Sequence, residues 1–465
     1  MLKRALIPMA VSLALTACAV GPDYSRPKLD LPQQAASPAA VQQDWWKQFD
    51  DATLNSLIDE AVQHNKDLAQ AQAQVEEAAA LAGIARAQLL PSINANAGYQ
   101  RGRSSVETTT PSTPLVADVR SANLTASWEL DLWGKLRRSS EAARATLAAS
   151  RYTQDAVRLS ISAQVAQTYF QLRALDAQLD IAKRTLKSRE ESLSLRQKRF
   201  NGGMTSELDL RQAEAEAASA RATVPQLAKS VDQTESALGI LLGRSPRDLI
   251  DGTVSRGKAI EQLRTPPAIP AGLSSSLLER RPDLAAAEAQ LIAANARIGV
   301  AKAAYFPTIS LTGALGSQST SLDSLFTSPT RTWSFVGNLA APVFNFGQTG
   351  MNVDAANARQ KQALAQYEKS VETAFKEARD ALSANSTARQ VQEAQITQLT
   401  ALNKALHLAT LRYDNGYSSY LDVLDAERNA FQAELNLVNA QLDRLNASVS
   451  LYKALGGGWE GPHAD

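Results

Sequence analysis

Asp422 and Asp425 stand three residues apart in the run Tyr420-Leu421-Asp422-Val423-Leu424-Asp425. On a helix that spacing makes two carboxylates near neighbours on one face. Such a pair can attract cations or cap a helix start. Nothing that would turn it into a catalytic site accompanies it. His64, His407 and His463 sit in unrelated surroundings without metal-ligand spacing. No glycine loop of the kind that cradles phosphates is present. The one cysteine, Cys18, follows Leu15-Thr16-Ala17 at the end of a short apolar run. These residues speak against an enzyme and for two other chemistries: acylation of a thiol and fixed charge near a helix start.

The surroundings of Cys18 develop the first. Lys3 and Arg4 form a basic start, and Ala5 to Leu15 is an apolar stretch too short for a stable membrane helix. Residues 1–17 therefore read as a signal peptide. Leu15-Thr16-Ala17-Cys18 resembles the bacterial lipoprotein box, in which the cysteine is cut free and acylated. Cys18 is then expected to carry N-palmitoyl and S-diacylglycerol groups, with no other cofactor and no metal. Ala19 and Val20 follow it, and the absence of Asp directly after the cysteine points to the outer membrane. Lys plus Arg total 48 and Asp plus Glu 47, a balance that suggests no nucleic-acid partner. No later segment is long and apolar enough for a membrane helix, so any crossing must be made by strands.

The second chemistry needs elements to position it, and the chain builds them twice. Gly83-Ile84-Ala85-Arg86-Ala87 before Leu90-Pro91-Ser92-Ile93 recurs as Gly299-Val300-Ala301-Lys302-Ala303 before Phe306-Pro307-Thr308-Ile309, 216 positions later. Arg199-Phe200-Asn201-Gly202-Gly203 recurs as Arg412-Tyr413-Asp414-Asn415-Gly416, 213 positions later. A duplicated helix–strand–helix unit follows. From Arg137 to Phe200 and from Met351 to Tyr413 there is no proline or glycine, enough for rods of roughly 95 Å. Leu172, Leu175, Leu179, Ala182, Leu186 and Leu193 keep coiled-coil spacing, with Arg189 the exception. Leu421, Leu424, Phe431, Leu435, Val438, Leu442, Leu445 and Val449 do the same, broken only at Arg428. Pro225 should bend the matching first-copy helix, and the copies are expected to differ most there. His407, near a seam, reads as a packing residue.

Four runs alternate apolar with polar or small residues, at about 92–101, 121–131, 308–316 and 333–344. Each has about the length that a tilted membrane strand needs. Arg101 to Arg120 and Gly316 to Thr332 read as exposed loops. Four strands cannot close a membrane barrel, so the barrel must be shared between copies. The domain reading is a signal peptide at 1–17 and a lipidated segment at 18–60. Repeat 1 covers 61–243, a linker 244–282, repeat 2 283–456 and a tail 457–465.

Several motifs in order resemble the outer membrane factor family, TolC- and OprM-like, in its lipoprotein branch. They include Cys18-Ala19-Val20-Gly21-Pro22-Asp23-Tyr24, Trp45-Trp46-Lys47-Gln48-Phe49 and His64-Asn65-Lys66-Asp67-Leu68. Leu130-Asp131-Leu132-Trp133-Gly134, Leu278-Glu279-Arg280-Arg281-Pro282-Asp283-Leu284 and Tyr420-Leu421-Asp422-Val423-Leu424-Asp425 complete the set. The resemblance implies a mainly α fold with membrane β. It implies a homotrimer with a shared 12-stranded barrel, a long periplasmic α-helical barrel and an equatorial waist. It implies a passive outer-membrane exit duct for drugs or other small toxic compounds. A periplasmic adaptor and an inner-membrane pump of the resistance-nodulation-division class would be its partners. A duct for type I protein secretion and a periplasm-spanning structural lipoprotein are the alternatives. The resemblance further implies a periplasmic gate at Asp422 and Asp425, with Asp209 as the first-copy equivalent of Asp422 and with Tyr413 and Leu421 beside them. Ser418 stands where TolC-like members carry an arginine, so apolar packing is expected to take a larger share of closure.

Overall fold

The computed structural model describes residues 19–31, 44–103, 105, 116–266, 280–459 and 461. Cys18, residues 1–17 and His463 lie outside the described residues. The chain forms two compact units.

The first unit is built from Met1–Lys28, Gln74–Arg151 and Ala286–Glu368. It holds one antiparallel sheet, β1 Ser92–Arg103, β2 Val116–Leu130, β3 Thr308–Ser319 and β4 Arg331–Ala340, in that order. Strands extend beyond the alternating runs at four ends, because the ladder of backbone bonds continues where apolar alternation stops. β2 begins at Val116 rather than at 121 and pairs with β1 out to Arg103. Part of each expected loop is therefore strand. β4 instead stops at Ala340, short of the expected 344, because Pro342 has no N–H to give the ladder.

An N-terminal strap is stitched to this unit. Val20 N–H donates to the Trp133 carbonyl at 3.0 Å, and Asn295 donates to the Pro22 carbonyl at 2.9 Å. Arg138 binds Asp23, while Tyr24 and Arg26 both donate to Glu288, at 3.0 and 2.7 Å. A Cβ on Gly299 would lie 2.7 Å from the Val20 carbonyl oxygen and 2.8 Å from Arg138 Cγ. Glycine is what lets the strap lie that close. The duplicate position, Gly83, faces open space. Trp133 stacks on Phe306 at 4.8 Å and donates to the Pro307 carbonyl, which explains one aromatic of the Leu130–Gly134 motif. Asp131 of the same motif accepts from the Leu136 and Arg137 N–H groups at 3.0 and 2.8 Å, closing the first turn of the next helix.

The second unit, Leu29–Ala73, Tyr152–Ala285 and Lys369–Asp465, packs around one apolar core. Trp45 stacks on Tyr452 at 5.7 Å, and Phe49 meets Phe170 at 5.0 Å. Asp51 is buried and fully used. It caps helix α1, Ala52–His64, through Thr53 and Leu54, and accepts from the Tyr169 hydroxyl at 2.7 Å. Residues of the 244–282 linker join here through Lys258 N–H to Asp51, and through Arg256 to Glu235 and Asp176.

The remaining helices are α2 Lys66–Ala87, α3 Lys135–Asn201, α4 Glu207–Leu241, α5 Pro246–Asp251, α6 Pro282–Ala303, α7 Gln348–Asp414 and α8 Tyr420–Ala454. The rods α3 and α7 each have 67 residues, about 100 Å of helix. Their partners α4 and α8 each have 35. α4 runs through Pro225 without ending, so the divergence expected there does not reach the element lengths. His407 is exposed rather than packed. Among the described residues no helix is long and apolar enough to cross a membrane.

Candidate functional site

The sheet has two chemically different faces. Alternation places Ile93, Ala95, Ala97 and Tyr99 of β1 on one side with Leu124, Ala126, Trp128 and Leu130 of β2. Register extends that face through Ile309, Leu311 and Leu315 of β3 to Trp333, Phe335 and Leu339 of β4. Leu315 is directly opposite Trp333, and both are exposed. The other face carries Asn94, Asn96, Asn123, Thr125, Ser127, Ser310, Thr312, Ser334 and Asn338. An apolar face left bare on one side and polar residues on the other are what a barrel wall between lipid and water needs. β1 and β4 each pair on one side only, leaving two open edges.

Within the second unit, two helix hairpins turn in the same way. α3 passes to α4 through Gly203 at φ 71°, and α7 passes to α8 through Gly416 at φ 76°. Met204 N–H reaches the Arg199 carbonyl at 2.8 Å, and Tyr417 N–H reaches that of Arg412 at 2.8 Å. Both are glycine-terminated helix ends in which the left-handed residue lets the chain close on the last carbonyls.

The expected gate residues divide between these turns. Asp422 forms a capping box with Ser419, accepting from its N–H at 3.1 Å. Asp209 accepts from the Thr205 hydroxyl at 2.7 Å, and its own N–H is capped by Ser206. Asp425 points to solvent, 73% exposed, with Arg428 3.9 Å away. Leu421 is 51% exposed, so within this chain it is not a packing residue. Asp422 and Asp425 share the start of α8, and Asp209 holds the matching place on α4.

Tyr413 does meet an arginine, and the side chain comes from the other copy. Arg196 of α3 donates to the Tyr413 hydroxyl at 2.5 Å. Its guanidinium lies 4.6 Å from the Tyr413 ring centre and 4.1 Å from that of Tyr420. Ser418 therefore does not leave Tyr413 without an arginine beside it. Packing contributes as well: Ala213, Tyr420, Val423 and Leu424 form a small core joined by Leu193 and Tyr413. Nearby, buried Arg189 binds Glu427 and approaches Glu216 at 3.9 Å, while Arg428 binds Glu216. Burial pushes the Glu427 carboxyl above its ordinary value; Arg189 opposes the shift and Glu216 adds to it.

Arg196 and Tyr420 are functional candidates that reading the seams did not single out. The signal was present: Arg196 falls seven residues after Arg189, at the same position of the repeat.

Residues 57–244 and 273–457 match the outer membrane efflux protein family. The chain is 36% identical over 465 residues to the cation efflux system protein CusC of Escherichia coli O157:H7, covering 98% of this chain and 99% of that one. It is 37% identical over 473 residues to the toluene efflux pump outer membrane protein TtgI of Pseudomonas putida, again covering 98% and 99%. Among solved structures it is similar to the CmeC outer membrane channel of Campylobacter jejuni, with a TM-score of 0.91, 30% identity and 96% of each chain covered. The open state of the Neisseria gonorrhoeae MtrE channel gives a TM-score of 0.85 at 36% identity, covering 96% of this chain and 100% of that one.

Proposed function

The chain belongs to the outer membrane efflux protein family and is an outer-membrane channel of an efflux system, and from that premise we propose that three copies share one duct. Each copy contributes four strands to a twelve-stranded barrel, joining β4 of one to β1 of the next. The observation that carries this is the sheet with one apolar face, one polar face and two unpaired edges. Unpaired strand edges in lipid cost several kcal/mol per backbone group, and ring closure removes them. Native mass spectrometry in detergent should find three subunits. A monomer that conducts ions across a planar bilayer would overturn the shared barrel.

The duct passively releases small toxic compounds delivered by a periplasmic adaptor and an inner-membrane pump of the resistance-nodulation-division class. Relatives named for cation and toluene efflux, matched over nearly the whole chain, favour this cargo over secreted protein or a purely structural role. Such relatives are channel proteins rather than enzymes. Cys18 carries the lipid that anchors the mature N-terminus, and mass spectrometry of the N-terminal peptide should show the acyl groups.

The second hairpin acts as the periplasmic gate. Asp422 and Asp425 form two rings of charge under threefold symmetry, while Asp209 and Leu421 border them. The link from Arg196 to Tyr413 and the Arg189–Glu427 pair hold the hairpin to α3. Six close carboxylates repel, so closure rests on those links, and the acids set ion preference. Asp422→Ala/Asp425→Ala should lower cation selectivity in single-channel recordings with assembly kept. Unchanged selectivity would leave the two acids as helix-start residues only.

A further inference from the structure

Beyond the apolar band, at the hairpin ends of the strands, the same face of the sheet turns basic. Arg101 and Arg103 of β1, Arg120 of β2 and Arg331 of β4 continue the alternation that places Tyr99, Leu124 and Trp333 on that face. Arg120 confirms the placement by lying over the Tyr99 ring at 5.0 Å. The carboxylate among these strand positions is Asp118. It accepts from the Tyr99 hydroxyl at 2.8 Å and lies 3.7 Å from Arg101. Asp323, in the β3–β4 connection, is the other described acid at this end; Glu107 is outside the described residues.

Among the described residues, the opposite face carries no charge at the same levels. It presents Gln100, Val119, Ser121, Gln318, Thr332 and Ser334. If the arginines only kept the rim soluble, both faces would be expected to share them. Confinement to the face that continues the lipid-facing band means that they meet whatever lies beside the barrel. Arginine near the edge of a membrane costs little on a lipid-facing site. Its planar fork matches phosphate oxygens two at a time. Arg101 and Arg120 lie diagonally on paired strands, one two-residue step apart, roughly 8 Å between their Cα atoms. Arg120 also donates to the Thr320 carbonyl at 2.5 Å, and the other N–H groups of its fork are what a phosphate near Arg101 would use.

We propose that this patch binds the phosphate-bearing headgroup of a lipid in the leaflet facing away from the helices. The proposal rests on the reading of the sheet as a barrel wall. Under that reading β4 of one copy adjoins β1 of the next, and Arg331 joins its neighbour's arginines to complete each site.

The test uses the full-length protein in detergent, with binding of a diphosphorylated glucosamine-disaccharide lipid followed by native mass spectrometry. Removing the lipid's phosphates enzymatically should weaken binding by about tenfold or more. Arg101→Gln/Arg103→Gln/Arg331→Gln should cause a similar loss for the phosphorylated lipid. Arg120 is left in place because Tyr99 packs on it. Equal binding of the phosphorylated and dephosphorylated lipids would overturn the proposal, and that comparison needs no variant. Displacement by millimolar inorganic phosphate would assign the patch to soluble anions and overturn the lipid site. Planar-bilayer conductance of the same preparation separates the two readings. If channels conduct normally without a phosphate preference, the lipid site fails alone; if three-subunit assembly and conductance are both missing, the barrel reading fails first.

Discussion

In the first copy of the repeat the rod α3 turns at Gly203 into α4; in the second, α7 turns at Gly416 into α8. The turns share their hydrogen bonds, and the helices share their lengths. What faces the neighbouring helices differs. α3 carries Arg189 and Arg196 on its seam, where the matching positions of α7 are Leu402 and Ala409. The α7–α8 turn offers Tyr413 and Tyr420, where the first copy has Phe200 and Glu207. Glu427 of α8 has an acidic counterpart, Glu214, but that one pairs with Arg211 of its own helix at 2.9 Å. Duplication preserved the backbone and let the side chains specialise, so that one copy grips with cations what the other presents as carboxylate and ring. A helix hairpin built to stay put would keep leucine at these positions. Charge and ring faces instead make an attachment that can be reversed in water.

The largest way to break this asymmetry is Arg189→Ala. It leaves Glu427 without its pair and Glu216 without one of its two cations, at a cost of about 3 kcal/mol, whereas Leu402→Ala in the half-buried second-copy position should cost less. Chemical denaturation of the trimer would rank the two, and equal losses would show that the seams are equivalent. Next is Arg196→Ala, which removes one hydrogen bond and two ring contacts, about 2 kcal/mol together. Resting conductance should rise, while Ala409→Ser at the equivalent site should leave it unchanged.

A third test moves to the glycines shared by the copies. Gly299→Ala forces a Cβ against the strap and should destabilise by about 1–3 kcal/mol. Gly83→Ala meets open space and should gain up to about 1 kcal/mol of helix stability. Thermal melts of both variants check the opposed signs. The smallest effect concerns pH. Burial raises the Glu427 carboxyl, so just above the ordinary carboxyl range the folded chain holds a proton that the unfolded chain has lost. Its contribution therefore falls as pH rises through that window. Glu427→Gln should flatten this slope in melts across mildly acidic pH.

Much of the architecture could be read from residue spacing. The rods expected from Arg137 to Phe200 and from Met351 to Tyr413 each extend only a few residues further. Strand ends were harder, because charged residues such as Arg101, Asp118 and Arg331 keep the ladder but lose the apolar alternation that reveals it. The α7–α8 hairpin and its contacts were half legible. Arg189 and Arg428 stood out as breaks in two separate seams, but sequence spacing cannot say that Arg189 meets Glu427 across 238 positions. Arg196 escaped notice because a long cation is common on an exposed helix face, and only the fold shows it buried between two tyrosines.

The strap that follows Cys18 has a consequence for the order of events in folding. Its anchors, Glu288 and Asn295, lie 262 to 273 positions further along the chain. Bringing such distant partners together is slow, since the loop must close before any contact rewards it. The contacts to Trp133 and Arg138 can form earlier, but these anchors are reached only after more than half the polypeptide has emerged. Gly21 can settle on Gly299 only at that late stage, so the first described residues of the chain are among the last to be fixed.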